Sequence, residues 1–172
     1  DNYEVALPIL KKHGLSATFF VATGHLNGGR MWNDTVVEAI RSSRIDILDL
    51  SSSPAFANAP TKIFPTGSLP EKRATIESVL GKIKYLQTTE REDVINLIAD
   101  QIATKLPDNL MMTSKQVIEL RRSGMLIGAH TVSHPILANL QAVQVRNEIS
   151  ESKKYLEALL QENIGLFAYP NG

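Results

Sequence analysis

The chain alternates between segments with the apolar periodicity of a helix and short apolar runs, with glycine at the junctions. Residues 3–13 mix apolar and polar positions and end in KKHG at 11–14, which is typical of a helix with a cationic last turn and a glycine cap. Pro8 is tolerated only in a first turn, so the helix is predicted to begin near Leu7 or to kink there. The next run, residues 17–21, is short and apolar on both faces, which predicts a buried parallel strand.

The same order of helix, glycine and strand returns near Thr113. This residue and Gln116 have the spacing of a capping box, Gly124 closes the helix, and residues 125–129 form a second apolar strand. Two such units predict an α/β layered or barrel architecture, in which ligand sites lie past the carboxyl ends of the strands. His130 follows the second strand directly, so its position favours a functional role.

The middle of the chain is less regular. Asn33 or Asp34 is predicted to cap a short helix that ends at Ser43, and residues 45–50 alternate as in a strand with one solvated face. Residues 51–70 contain four of the eight prolines, which predicts an exposed excursion.

Helical patterns resume in the second half of the chain. They cover residues 71–86 and 90–106, the second with a capping box formed by Thr88-Thr89 and Glu92. A longer amphipathic helix over residues 142–161 leads into a third predicted strand at 166–170.

Composition narrows the classes of function. A chain of 172 residues suffices for one domain with its own core. Its 18 basic residues balance 18 acidic ones without long runs of one sign, so neither nucleic acid nor an anionic membrane is favoured as a partner. No apolar run approaches the roughly 18 residues of a membrane span. Without cysteine, any metal site must use His, Asp and Glu.

The stretch IGAHTVSHP, residues 127–135, places two histidines four residues apart. Two imidazoles at this spacing can converge on one ion, although a hydrolytic site needs about three protein ligands. The alternative is that His130 forms hydrogen bonds at the strand end while His134 lies in an exposed turn. Pro135 favours an extended backbone at His134. Spacing alone leaves both interpretations open.

Three stretches taken in order resemble the polysaccharide deacetylase family, the NodB homology domain of carbohydrate esterase family 4: LPILKKHGLSATFFVATG, LRRSGMLIGAHTVSHPILANL and LFAYPNG. The resemblance covers residues 4–25 and 111–172 and is weak or absent over 51–106. It implies a distorted (β/α) barrel, with residues 1–172 as a single partial domain and 51–106 as a loop plus helical insertion.

By this resemblance, His130 and His134 bind a divalent metal, usually zinc or cobalt, together with an aspartate. Thr131 orders their loop, and the backbone N–H of Asn171 stabilises the oxyanion. The third motif departs from the family pattern, because Ala168 takes the arginine position and Asn171 takes the tyrosine position.

The motif with the aspartates, Thr-Phe-Asp-Asp-Gly, is expected before Asp1, which takes neither of their roles. The motif with the catalytic acid is expected after Gly172. We therefore expect this piece to bind metal weakly and to be inactive by itself, and the parent protein to be the enzyme.

Three further residues are candidates for a substrate groove. They are Tyr169 in the third motif, Trp32 as a surface for stacking on a sugar, and His25 in the loop after the first strand. Core packing for Trp32 and a solvated loop for His25 are the alternatives.

The resemblance implies a metal-dependent hydrolase that removes N-acetyl groups from a polysaccharide, by cleavage of a non-peptide carbon–nitrogen bond, outside the cytoplasm or at the cell envelope. It leaves the polymer and the oligomeric state open. The alternatives are a catalytically silent carbohydrate-binding relative, a deacetylase of O-acetyl esters or another small amide, and a scaffold whose helical insertion binds another protein.

Overall fold

The computed structural model describes residues 2–171 as a mixed α/β protein. In chain order its helices and strands are α1 (Leu7–Lys12), β1 (Thr18–Val21), α2 (Trp32–Ser42), β2 (Ile47–Asp49), β3 (Ile63–Pro65), α3 (Leu69–Ile83), α4 (Thr88–Ile102), α5 (Ser114–Arg122), β4 (Leu126–Ala129) and α6 (Ala142–Leu160). The described residues form two compact units, the first from 2–30 and 108–171 and the second from 31–107. Within residues 2–171, no helix combines the length and the apolarity that a bilayer crossing requires.

The first unit contains the two segments that were predicted to run from a helix through a glycine into a strand. A π turn at Asn2–Ala6 precedes α1, so Pro8 lies in the first turn of the α-helix, as its ring requires. Gly14 and Gly124 follow α1 and α5 with φ of 63° and 86°, the left-handed conformation that glycine adopts without strain. The predicted helix starts and glycine ends are therefore confirmed here.

A two-stranded parallel sheet joins these segments. β1 pairs with β4 in the register Thr18 with Leu126 through Val21 with Ala129. A single parallel bridge then connects Ala129 to Phe167. The third predicted strand is thus reduced to one bridge.

One prediction for this sheet is corrected. β1 is parallel, but it is not buried on both faces, because Phe20 is 40% exposed. In the described residues β1 with β4 and β2 with β3 form separate two-stranded sheets, so the distorted barrel stays a prediction.

α5 and α6 pack against β4 and against each other, and they form the core of the first unit. Its buried side chains include Val117 and Leu120 from α5, Ile127 from β4 and Leu156 from α6. This packing fixes the direction in which β4 ends and therefore the position of His130.

The second unit packs α2 against α3 and α4, beside the antiparallel pair β2 and β3. Its core includes Ile40, Leu48 and Ile98, each fully buried. Most positions of residues 51–70 are exposed, as predicted, but the segment also forms β3 and buries Phe56 and Phe64, whose rings meet edge to face at 5.9 Å. The division of the chain at 31–107 is broader than the predicted insertion at 51–106, which stays a prediction.

Helix starts were predicted less well in the second unit. α2 begins after Met31 and has no side-chain cap hydrogen bond, so neither Asn33 nor Asp34 is its cap. α4 begins after Gln87, also without such a bond, so the predicted box of Thr88-Thr89 with Glu92 is not formed. The capping box of this unit lies instead at Ser68 and Glu71 on α3. In the first unit, by contrast, the box of Thr113 and Gln116 on α5 is confirmed.

Candidate functional site

The candidate site lies where β1 and β4 end side by side. Beyond β1, Thr23 and Gly24 donate backbone hydrogen bonds to the carbonyl oxygens of Thr131 and Val132, at 3.2 and 2.9 Å. A Cβ on Gly24 would lie only 2.8 Å from the carbonyl oxygen of Val132. Glycine is therefore required at this position for the two loops to run this close together.

The imidazoles of His130 and His134 meet at this point. Their Nε2 atoms lie 3.0 Å apart, and their ring centroids are separated by 4.7 Å at an interplanar angle of 66°. Two nitrogens that bind one tetrahedral zinc ion at about 2.0–2.1 Å are separated by about 3.3 Å. The geometry of the pair is therefore close to that of two ligands of a single cation.

A backbone carbonyl fixes the orientation of His130. Its Nδ1 lies 2.9 Å from the carbonyl oxygen of Ala168, which can only accept a hydrogen bond, so we assign the ring proton to Nδ1. In the neutral ring, Nε2 then carries the lone pair that faces His134. Histidines that bind a metal ion ordinarily make an outer hydrogen bond of this kind.

The loop between the histidines has an unusual backbone. Thr131 and His134 have φ of 67° and 58°, so His134 is left-handed and not extended as its following proline predicted. Thr131 is fully buried, donates from Oγ1 to the carbonyl oxygen of His130, and accepts the backbone N–H of His134 at 3.0 Å. The Thr131 hydroxyl thus connects the backbones of the two histidines.

Glu148 on α6 contacts the same loop and was not identified from the sequence. Its carboxylate accepts the backbone N–H groups of Val132 and Ser133, at 2.8 and 2.9 Å, and the hydroxyl of Ser133 at 2.6 Å. Nothing in the periodicity of the helix distinguishes this glutamate from its neighbours, because its partners lie 15 and 16 residues earlier in the chain.

The electrostatic environment favours a neutral His134. Burial lowers the pKa of His134, and the neighbouring imidazoles of His130 and His25 lower it further. Neutral imidazole is the form that binds a metal ion. His25 lies close by, with Nε2 at 3.4 Å from the carbonyl oxygen of Ser133.

The donor set fits a metal ion in part. Two imidazole nitrogens converge, but within residues 2–171 no third His, Asp or Glu joins them in a cluster able to hold an ion. Asp1 and Gly172 lie outside the described residues. Two imidazoles without a carboxylate are expected to hold zinc only weakly, because a zinc site ordinarily has three or more protein ligands.

The remaining candidates are spread over both units. In the first unit, Tyr169 is 65% exposed and its ring meets Phe167 edge to face at 5.2 Å, while Asn171 has φ of 65°. Trp32 belongs to the second unit, where it packs against the core. Its ring centroid lies 4.9 Å from the Cζ atom of Arg91. The structure thus brings His25, His130, Thr131 and His134 together, and Trp32 takes part in the packing of the other unit.

The family model for polysaccharide deacetylase matches residues 57–172, which is more than half of the chain. The chain belongs to the polysaccharide deacetylase family. The match includes residues 57–106, where the sequence motifs gave little resemblance, as well as both histidines.

One solved structure similar to this member of the polysaccharide deacetylase family is that of the Streptococcus pyogenes deacetylase PplD in complex with acetate. The two are 22% identical with a TM-score of 0.49, and the alignment covers 100% of this chain and 42% of that one. The chain thus spans less than half the length of that protein. No curated protein matches this chain.

Proposed function

We propose that the protein is a metal-dependent hydrolase that removes N-acetyl groups from a polysaccharide. The observation that carries the proposal is the 3.0 Å separation of the His130 and His134 Nε2 atoms at the end of β4, in a member of the polysaccharide deacetylase family. We also propose that β1 and β4 belong to a distorted (β/α) barrel. Phe20 and Leu126, which are exposed on these strands, would be covered by its further strands.

The first role of this chain is to hold a divalent ion, zinc or cobalt, on His130 and His134. The chemistry that such an ion supplies is Lewis acidity, which polarises an acetyl carbonyl and lowers the pKa of a water molecule. The carbonyl of Ala168 keeps the Nδ1 proton of His130 in place, so the Nε2 lone pair stays directed toward the ion. Thr131 fixes the backbone of His134 relative to His130.

The second role is to contact the substrate. The backbone N–H of Asn171 would donate a hydrogen bond to the oxyanion, a kind of contact worth about 10² to 10³ in rate in other hydrolases. The exposed ring of Tyr169 and the imidazole of His25 would contact the sugar, and Trp32 is the weakest member of this set because it packs in the second unit. We assign neither the base nor the acid of the reaction to a residue of this chain.

A catalytically silent carbohydrate-binding relative is the second candidate. The observation that favours it is the departure of the third motif, with Ala168 at the arginine position of the family and Asn171 at the tyrosine position. A silent relative would retain the ion and the sugar contacts without turnover.

Acetate release tests the proposal. The zinc-loaded full-length protein should release acetate from N-acetylated chitin oligomers, whereas His134→Ala should lower the rate by at least about 100-fold, since removal of a single catalytic contact already costs 10² to 10³. His13→Ala is the matched control, because His13 lies just after α1 and outside the histidine cluster.

Several outcomes separate the candidates. Binding of chitin oligomers without acetate release favours the silent relative. Acetate release only from O-acetylated sugars favours an esterase. Residues 1–172 alone should turn over little or nothing, and robust acetate release by this chain would show that it contains a base and an acid that we have not identified.

A further inference from the structure

The carboxylate of Glu148 anchors the loop that connects the two histidines. Oε2 accepts the N–H groups of both middle residues of the loop, Val132 at 2.8 Å and Ser133 at 2.9 Å. Oε1 accepts the hydroxyl of Ser133 at 2.6 Å. Three donors from two consecutive residues therefore converge on a single carboxylate. Hydrogen bonds to an ionised carboxylate are stronger than those between neutral groups.

The backbone on either side of this anchor is strained. Thr131 and His134 both occupy the left-handed region, with φ of 67° and 58°, and neither is glycine. Such residues persist only where the surrounding contacts determine their conformation. Thr131 is fixed by its own hydroxyl, and the segment between the two strained residues is fixed by Glu148.

We propose that Glu148 is a positioning residue that sets the separation of the His130 and His134 Nε2 atoms and thereby the affinity of the pair for a divalent cation. The inference rests on the proposed function, because it assigns the cation to this pair. Glu148 does not touch the ion in this scheme. It acts through the loop backbone, which carries His134 into contact with His130 at 3.0 Å.

The test compares variants of the full-length protein by titration with Zn²⁺ alone. Glu148→Ala should weaken zinc binding by about 10- to 100-fold, the usual effect of losing an outer hydrogen-bond partner of a metal ligand. Glu148→Gln should recover most of the affinity, because its amide oxygen can accept both N–H groups and its NH₂ can donate to Ser133. Glu151→Ala is the matched control, since Glu151 lies on the same helix and pairs at the surface with Lys154.

A second measurement needs no metal. In the metal-free protein, Glu148→Ala should accelerate amide hydrogen exchange at Val132 and Ser133 while leaving β1 and β4 protected. A merely structural role would instead lower protection throughout α6 and its core contacts, without a selective effect on this loop. Should Glu148→Ala fail to fold, Ser133→Ala removes only the Oε1 contact and should still weaken zinc binding several-fold.

The outcomes distinguish the two levels of the proposal. Zinc binding by the wild-type protein together with equal binding by Glu148→Ala or Ser133→Ala would overturn the role of Glu148 and leave the proposed function intact. Absence of zinc binding by the wild-type protein would overturn both. Weakened binding by Glu148→Ala, rescue by glutamine and selective exchange at residues 132–133 would support the role.

Discussion

The two units of the molecule differ in how their residues are used. Nine of the twelve largest fully buried side chains among residues 2–171 lie in the second unit and three in the first. The first unit instead contains the histidine pair, the left-handed backbone of its loop and the half-buried Glu148. The comparison teaches that packing and chemistry are divided between the units: changes in the second should act on stability, and changes in the loop of the first should act on cation binding.

The largest expected effect on stability comes from the core of the second unit. Ile40 is fully buried, so Ile40→Ala should lower the free energy of unfolding by about 2–5 kcal/mol, through lost burial and the cavity left behind. Urea denaturation of the full-length protein measures this change. Ile63→Ala, at a 55% exposed position of the same unit, should change it by no more than about 0.5 kcal/mol. The zinc affinity of the folded Ile40→Ala protein should match that of the wild type, and a loss as large as that of His134→Ala would break the comparison.

An intermediate effect is expected at Thr131 in the first unit. Thr131→Val removes the acceptor for the backbone N–H of His134 and should cost about 1–3 kcal/mol, the penalty of a buried unsatisfied donor. Valine and threonine are both β-branched, so the strain at φ of 67° is matched between them. Thr131→Ser keeps the hydroxyl and is the control.

Zinc titration distinguishes this change from a simple loss of stability. Thr131→Val should bind zinc more weakly than Thr131→Ser, because the hydroxyl connects the two histidine backbones. Equal zinc affinity for the two variants would show that the hydroxyl does not order the loop.

The smallest effect is expected from surface carboxylates, and it should be alike in both units. The hydrogen bond from Arg121 lowers the pKa of Glu162, in the first unit, and hydrogen bonds from Ser51 lower the pKa of Asp49, in the second. A carboxyl group with a lowered folded-state pKa stabilises the fold above its unfolded pKa, about 3.9 for Asp and 4.3 for Glu. This contribution is lost as the pH falls through the folded-state pKa.

Glu162→Gln and Asp49→Asn should therefore each differ slightly from the wild type near pH 7 and converge with it in acid. Denaturation at a series of pH values measures the difference, and exposed pairs of this kind contribute little to stability. A difference that grows as the pH falls would contradict the direction of both pKa shifts.

Local signals were sufficient for much of the first unit. Gly14, Gly124 and the capping box of Thr113 and Gln116 act within a few residues of the chain, and the structure contains each of them as predicted. The parallel pairing of β1 and β4 also agrees with the repeated order of helix, glycine and strand.

Contacts between distant parts of the sequence explain what was missed. Proline and serine in residues 51–70 predicted an exposed segment, which holds for most of its positions, but not for Phe56 and Phe64, which are buried in the core formed with α3 and α4. The carbonyl of Ala168 reaches His130 across 38 residues, and no periodicity marks such a partner. Proline after His134 favoured an extended backbone, whereas the hydroxyl of Thr131 holds the left-handed one.

The central claim is that His130 and His134 bind one cation between their Nε2 atoms. The most direct measurement is anomalous scattering at the zinc edge from crystals of the full-length protein grown with zinc. We predict one peak at about 2.0–2.1 Å from both Nε2 atoms. Imidazoles that point apart, or a zinc peak that lies away from this pair, would contradict the claim.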